Sequence, residues 1–363
     1  MHFYRIMKIA VIGTRGFPFI QGGVEKHCES LYPLFGGNYQ FIVFRRRSYV
    51  KDSCGYSHIT FKDLPSTRIK GFETVFHSFL SVCVSLWLHP DIAHFHNIGP
   101  AMFSPILRLA GIKVVLTYHS PNYEHRKWGW AGRFVLRVSE KIALATAHKI
   151  IFVNKFQMAK YSDKVQRKSY FIPNGISSPV YSTDRNYLNK IGVEPYKYIL
   201  AVGRITPEKG FDYLIKAFID LGSDEYKLVI AGGVETEGGY LNDLKSISLH
   251  NNIIFTSYVH GENLHQLYSY ARLYVLSSYN EGFPLVLLEA MSYGLPVLVS
   301  DISATHLVKL PVECYFSVGN RVELTHKLGS ILVEKMDHVS YSLDSFSWEN
   351  IVNRVSEIYN DLG

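Results

Sequence analysis

Short apolar runs rich in β-branched residues alternate with helix-length segments along this 363-residue chain, and that alternation narrows its folds more than any other feature. The predicted strands are Lys8–Ile12, Gln40–Phe44, Ile92–Phe95, Val114–Tyr118 and Ile150–Val153, followed by Tyr198–Val202, Lys227–Ala231, Ile253–Thr256, Leu273–Leu276, Val297–Val299 and Cys314–Phe316. Helical patterns between them cover Val24–Leu34, Trp130–Ala147, Phe211–Leu221, Glu262–Ala271 and Leu285–Tyr293. Strand, helix and strand in series make βαβ units, and these make parallel sheets. The strands are nearly continuous in apolar residues, so helices must cover both sheet faces. The series breaks at Phe171-Ile-Pro-Asn-Gly175, with a loop-like Ser177–Asn186 after it. Five strands before the break and six after it predict an α/β protein of two doubly wound, Rossmann-like domains facing each other across a cleft. A single (β/α)8 barrel would need eight even units and no break. The expected boundaries are 1–174 and 175–343, with a last helix in 344–363 returning to the first domain.

Composition removes several classes. With 47% hydrophobic and 19% charged residues the chain is not a disordered one. Cys28, Cys54, Cys83 and Cys314 lie far apart with no C-x-x-C pair, which argues against a zinc site or a disulfide framework and suits a reducing compartment. The apolar stretch Val75–Leu88 is too short to span a bilayer and reads as a buried or interfacial helix. The opening residues lead straight into a strand rather than a signal peptide, and Met1 and Met7 both fit as a start.

The net charge of +7 hides a division. Residues 1–174 carry 24 Lys/Arg against nine Asp/Glu, while residues 175–363 carry 14 against 22. The first half is therefore expected to face something anionic. Its expected basic clusters are Arg45-Arg46-Arg47 and the aromatic-interleaved Arg126-Lys127-Trp128-Gly-Trp130 with Arg133 and Arg137, a composition suited to anionic lipid head groups. No nucleic-acid-binding module is visible.

Four constellations carry candidate chemistry. The loop from Gly13 to Gly23 runs from the first strand into a helix, and its glycines admit a ligand close to the backbone at a helix N-terminus. It matches neither G-x-G-x-x-G nor a P-loop. Gly203-Arg-Ile-Thr-Pro-Glu-Lys-Gly210 places Arg204 and Lys209 in one strand-to-helix turn, a guanidinium fork and a point charge suited to a diphosphate. In Glu281-Gly-Phe-Pro-Leu-Val-Leu-Leu-Glu289, Pro284 marks a helix start. Glu289 lies in an apolar run there, where a carboxylate needs hydrogen-bond donors. Finally, His94, His96 and His119 fall at strand ends. Of these His119 is the candidate site residue, and spacing shows no metal-ligand set.

Together these motifs resemble retaining glycosyltransferases of family 4, with the GT-B fold. The likeness runs through Val202-Gly-Arg with Pro207-Glu-Lys-Gly, Ala231-Gly-Gly, Glu281-x7-Glu289, Pro296-Val and Ser300-Asp301, and Phe171-Ile-Pro-Asn-Gly-Ile176 matches the interdomain stretch. Thr14-Arg-Gly-Phe-Pro and Gly22-Gly-Val-Glu-Lys resemble the subgroup that builds bacterial surface polysaccharides, often rhamnosyltransferases. The resemblance implies that Arg204 and Lys209 bind the donor diphosphate. It implies that Glu281 holds hydroxyls of the transferred sugar beside backbone N–H groups of Gly282, Phe283 and Leu285. Glu289 would hold the ribose, Gly22 and Gly23 would close over the phosphates, and His119 would contact the sugar or reaction centre. Base contacts would fall near Gly232 and at Tyr258–His260, Val259 among them.

The implied activity is metal-independent, retaining transfer of a hexose from a nucleotide sugar to a lipid-linked glycan, with no cofactor and no nucleic acid partner. It implies a cytoplasmic, peripheral location on the inner face of the membrane, and closure about Pro173–Gly175 that excludes water. A nucleotide-sugar epimerase of the same fold and a non-catalytic glycan- or nucleotide-binding subunit stay open. A dinucleotide-dependent oxidoreductase is disfavoured by the missing fingerprint.

Overall fold

The computed structural model describes residues 6–20, 22–50, 55–67, 69, 72–121, 123, 129–234, 239–248, 252–333 and 338–363. Cys54 and the expected Arg126-Lys127-Trp128 cluster lie outside the described residues, as do Met1 to Arg5. The chain divides into two compact units, Met1–Gly175 with Ser345–Gly363, and Ile176–Asp344.

The first unit is built on strands β1 (Met7–Ile12), β2 (Tyr39–Arg46), β3 (Ile59–Leu64), β4 (Ile92–His96), β5 (Lys113–Tyr118), β6 (Lys149–Phe152) and β7 (Ser169–Phe171). They form one parallel sheet in the order β3-β2-β1-β4-β5-β6-β7. The chain winds outward from β1 to β3, then restarts on the other side at β4. The seam between β1 and β4, where Val11 pairs with His94, is therefore the point at which ligands of open α/β sheets bind.

β3 and β7 were not predicted. Both are edge strands, and their sequences lack the continuous apolar signature. β3 reads Ile-Thr-Phe-Lys-Asp-Leu and is mostly half-exposed, and β7 has three residues.

Side chains alternate across the sheet. Ile9 and Val11 face a core made with Cys28 and Leu31 of the helix Gly23–Leu31 and Trp348, Ile351 and Val355 of the helix Trp348–Asn360. Ala10 and Ile12 face a second core with Val82, Ala143 and Leu144, from the helices Phe72–Leu88 and Trp130–Thr146. The last helix of the chain thus supplies one layer of the first unit.

The helix Phe72–Leu88 inverts the usual arrangement. It buries His77, Ser78, Ser81, Val82 and Ser85 while Phe79, Leu86 and Trp87 are exposed. The Ser81 and Ser85 hydroxyls avoid an unpaired burial by donating to the carbonyls of His77 and Ser81, both at 2.8 Å. Among the described residues no helix is long and apolar enough to cross a membrane.

The second unit carries β8 (Tyr198–Val202), β9 (Lys227–Ala231), β10 (Ile253–Phe255), β11 (Leu273–Leu276), β12 (Val297–Ser300) and β13 (Tyr315–Phe316). The order is β10-β9-β8-β11-β12-β13, again all parallel, and the switch falls between β8 and β11. The helix Phe211–Leu221 after β8 has left-handed glycines at both ends, Gly210 at φ 63° and Gly222 at φ 61°, and buries Leu214, Ile215 and Phe218. Glycine at those dihedrals starts and stops the helix where the sequence pattern places it.

Candidate functional site

In the second unit, the segments after β8 and β11 meet at the switch point. The turn Pro207–Lys209 is clamped onto the end of β11: the Ser277 hydroxyl donates to the Lys209 carbonyl at 2.8 Å, and the Tyr279 N–H donates to Glu208 O at 2.8 Å. Gly210 is required at this clamp, because its φ is positive and a Cβ would lie 2.2 Å from the Ser277 carbonyl. The loop holding Arg204 is pressed from the other side by Gly232, whose Cβ would lie 1.7 Å from Gly203 O. The Ile205 N–H bonds Gly233 O at 3.0 Å. Glycines here bring two backbones together rather than loosening them.

This scaffold joins two residues 72 positions apart, the Lys209 ammonium and the Glu281 carboxylate, as an ion pair. Both are largely shielded, with side-chain exposures of 15% and 13%. The Ser278 hydroxyl also donates to Glu281 at 2.6 Å, and Ser278 is held by Ser300, which donates to its carbonyl at 2.6 Å. Glu289 lies in the helix Leu285–Ser292 and accepts from the Tyr268 hydroxyl at 3.0 Å. Burial and the Glu289 charge push the Tyr268 phenol well above its ordinary pKa, so it stays a donor. Tyr274 on β11 is fully buried, and its hydroxyl has no hydrogen-bond partner among the described residues. Its phenol is raised by burial and then by the charges of Glu281 and Glu289, which places it within electrostatic reach of both.

The helix at Leu285 starts one residue past Pro284, and the Leu285 N–H donates to the Phe283 carbonyl at 3.1 Å. That donor is therefore committed within the turn. Val259 lines a separate cavity of about 370 Å³ with Tyr187, Lys190, Phe255, Tyr258 and His260, and none of Arg204, Lys209, Glu281 or Glu289 is in its wall.

In the first unit, the loop after β1 folds onto the helix Gly23–Leu31. Glu25 in the first turn accepts from the Arg15 N–H at 3.0 Å and from the Thr14 hydroxyl at 3.5 Å. Gly22 has φ 150°, a conformation other residues adopt with strain, and a Cβ on it would lie 1.9 Å from the Glu25 carboxylate, which would have to move. A Cβ at Gly23 would meet open space.

One turn further along, His27 approaches His96 at the end of β4 and His119 just beyond β5. All three are at most 9% exposed. Their ring centroids are 5.6, 5.0 and 5.3 Å apart, pair by pair. His27 Nδ1 lies 2.7 Å from Asn174 Oδ1, and His96 Nδ1 lies 3.0 Å from His119 Nε2. His96 Nε2 lies 2.6 Å from the Tyr32 hydroxyl, which is 3.1 Å from His94 Nδ1, and His94 Nε2 is 2.7 Å from the Thr117 hydroxyl.

Desolvation lowers the pKa of every ring: His27 to about 4, His94 to about 3, His96 and His119 well below the ordinary value. The cluster is neutral at pH 7. Spacing in the sequence shows no such set, because 69 and 23 residues separate its members. His27, Tyr32 and Asn174 escape a reading based on strand ends and glycine loops.

The expected basic surface needs a correction. Arg45 and Arg46 are each 5% exposed. Arg45 forms a two-pronged pair with Asp63 at 2.6 and 2.9 Å and lies over the Phe61 ring at 4.1 Å, while Arg46 pairs with Glu73 at 3.3 Å. They sit at the end of an inner strand, where neighbouring elements neutralise them. Arg133 and Arg137 are exposed on the helix Trp130–Thr146. With Gly129, Trp130 and Phe134 they line an open groove of about 590 Å³.

Two doubly wound sheets, each with its candidate residues at the seam where strand order reverses, define a protein of the Rossmann-like, two-unit α/β class. The family description "Glycosyltransferase Family 4" matches residues 21–178, and "Glycosyl transferases group 1" matches residues 184–308. The chain belongs to glycosyltransferase family 4 and has the GT-B fold. An uncharacterised glycosyltransferase of Methanocaldococcus jannaschii is 31% identical over 202 residues, 48% of this chain, and the chain spans 47% of that relative, about half its length. Sucrose-phosphate synthase from Thermosynechococcus elongatus superposes with a TM-score of 0.80 at 20% identity, covering 98% of this chain and 99% of its own. HepE of Anabaena in complex with UDP-glucose gives 0.77 at 17% identity, covering 98% of this chain and 100% of its own.

Proposed function

We propose that this protein transfers a hexose, with retention of anomeric configuration, from a nucleotide-diphosphate sugar to a lipid-linked glycan at a membrane surface, in the building of a surface polysaccharide. The observation that carries this reading is the Lys209–Glu281 pair at the β8/β11 switch point, with Arg204 on the adjoining turn. HepE, which shares the fold, has been solved with UDP-glucose.

In the proposed reaction the bond between the anomeric carbon and the diphosphate oxygen breaks as the acceptor hydroxyl bonds that carbon on the same face. The acceptor proton passes to the departing diphosphate oxygen. Negative charge grows on the diphosphate, where Arg204 and Lys209 stabilise it, so that no divalent ion is needed there. Glu281, which holds the Lys209 ammonium in place, turns its second oxygen to sugar hydroxyls, with Gly282 and Phe283 beside it. Glu289, oriented by Tyr268, takes the ribose hydroxyls. Gly22 and Gly23 admit the phosphates, Val259 lies near the base, and neutral His119 contacts the sugar.

The acceptor side rests on the helix Trp130–Thr146. Trp130, Phe134 and Val138 recur at four-residue spacing and are 86%, 65% and 40% exposed, with Arg133 and Arg137 among them. Aromatic rings beside guanidinium groups suit the interface of an anionic bilayer. This reading makes the protein peripheral on the cytoplasmic face.

A thermal-shift panel of UDP-, GDP-, ADP- and dTDP-sugars tests the donor class, followed by transfer assays with a chelator present and the product's anomeric configuration read by NMR. Stabilisation by one nucleotide family and chelator-resistant transfer with retention are expected. Inversion, or strict dependence on a divalent ion, overturns the mechanism. Donor turnover without acceptor favours an epimerase.

A further inference from the structure

We propose that His27, His96 and His119 form a three-imidazole site for a divalent transition-metal ion of the zinc or cobalt kind, separate from the diphosphate chemistry of the second unit.

One nitrogen of each ring lies within 4.8 Å of one nitrogen of each of the others. The three centroids form a nearly equilateral triangle with sides of 5.0, 5.3 and 5.6 Å. A tetrahedral ion with bonds of about 2.1 Å sets its ligand nitrogens about 3.4 Å apart and its ring centroids about 5 Å apart. The centroids are spread about as such an ion requires, and the nitrogens, 3.0 Å apart in the His96–His119 pair and all within 4.8 Å, would shift by small ring movements to meet it.

Proton placement agrees with this geometry. Asn174 Oδ1 can only accept, so His27 Nδ1 carries the hydrogen and Nε2 carries a lone pair. His94 Nδ1 lies 2.5 Å from the Tyr359 hydroxyl and 3.1 Å from that of Tyr32 and accepts there, so that His94 Nε2–H donates to Thr117; the order compatible with a metal ligand at His96 has His96 Nε2–H donating to the Tyr32 oxygen. This order leaves His96 Nδ1 as a lone pair, which accepts from His119 Nε2–H at 3.0 Å. When the ion enters, His119 moves its proton from Nε2 to Nδ1, and Nε2 becomes the third ligand. No ring changes its charge. An amide oxygen fixing one imidazole and a phenol fixing a second are the outer partners that orient histidines in metal sites. A water or hydroxide completes the fourth position, offsetting part of the charge.

Where His119 also contacts the donor sugar, a clause that rests on the proposed function, ion and donor compete for it.

The test is titration of the chelator-treated full-length protein with Co2+. One equivalent is expected, with the intense visible absorption of four-coordinate cobalt. His27→Ala and His119→Ala should each weaken binding by roughly tenfold or more, and Asn174→Ala by about 10- to 100-fold. An X-ray absorption spectrum of the unmutated Zn2+ complex should show three imidazoles, which decides the matter even if a variant fails to fold. Absence of stoichiometric binding, a six-coordinate spectrum, unchanged binding in both histidine variants, or fewer than three imidazoles would overturn the site. If the site stands but Zn2+ leaves donor affinity unaltered, the sugar contact assigned to His119 falls instead.

Discussion

The two switch points occupy the same place in their sheets and have opposite electrostatics. In the second unit the seam between β8 and β11 holds a shielded ion pair, Lys209 with Glu281, fastened by serines at the end of β11. In the first unit the seam between β1 and β4 leads to His27, His96 and His119, whose burial keeps them uncharged. The difference shows what each can stabilise. An ammonium already desolvated and held in place suits charge that develops on a phosphate. Neutral imidazoles offer hydrogen bonds and lone pairs to uncharged hydroxyls or a metal ion. Net charge is a poor guide here, because the acidic half of the chain carries the cations assigned to the diphosphate.

The comparison breaks most sharply at Lys209. Lys209→Ala should lower kcat about 10²- to 10³-fold, and a loss under tenfold in steady-state assays would remove the ion pair from its assigned role. The second effect concerns how the neutral cluster is built. Ile351, fully buried on the last helix, belongs to the same core as Cys28 and Leu31 on the helix that bears His27. Ile351→Ala should cost about 2–5 kcal/mol in denaturant unfolding of the first unit, and a cost below about 1 kcal/mol would mean the last helix does not support that core.

The third effect is acid sensitivity. The unfolded chain binds protons on these histidines near pH 6.5, whereas folded His27 resists until about 4 and His94 until about 3. Stability is therefore full above pH 6.5 and falls as pH drops below it, by at most about 1.4 kcal/mol per pH unit for each group. His94→Gln should flatten the slope of Tm between pH 7 and 5, and an unchanged slope contradicts the desolvation argument. The smallest effect belongs to Tyr268→Phe, which removes a donor to Glu289 and should cost about 1 kcal/mol. A neutral result in thermal melts would show that Glu289 replaces this donor without loss.

Strand interiors were readable because two covered faces demand unbroken apolar runs: all six strands of the second unit and the five inner strands of the first carry that signature. β3 does not, because Thr60, Lys62 and Asp63 interrupt its run, and β7 is only three residues long. Of the candidate residues, Arg204 and Lys209, and Glu281 and Glu289, stood out because glycine and proline mark each pair within one short stretch of chain. Tyr268, Tyr274, His27 and Asn174 did not, since nothing local distinguishes a tyrosine on a core strand or helix from one that orients a carboxylate. Arg45 and Arg46 show the opposite failure: a run of three arginines reads as surface charge until Asp63 and Glu73 are brought beside it.

By itself the sequence determined the class of fold, through periodicity, and the turns that carry the second unit's charges, through glycine and proline. These are short-range properties, set within a few residues of each other. Tertiary structure alone decided that Lys209 meets Glu281, that three distant histidines converge, and which residues of the last helix, expected from the sequence to return to the first domain, complete its core. The physical reason is desolvation. Whether a lysine is paired, a histidine neutral or an arginine silent depends on what surrounds it after the chain has folded.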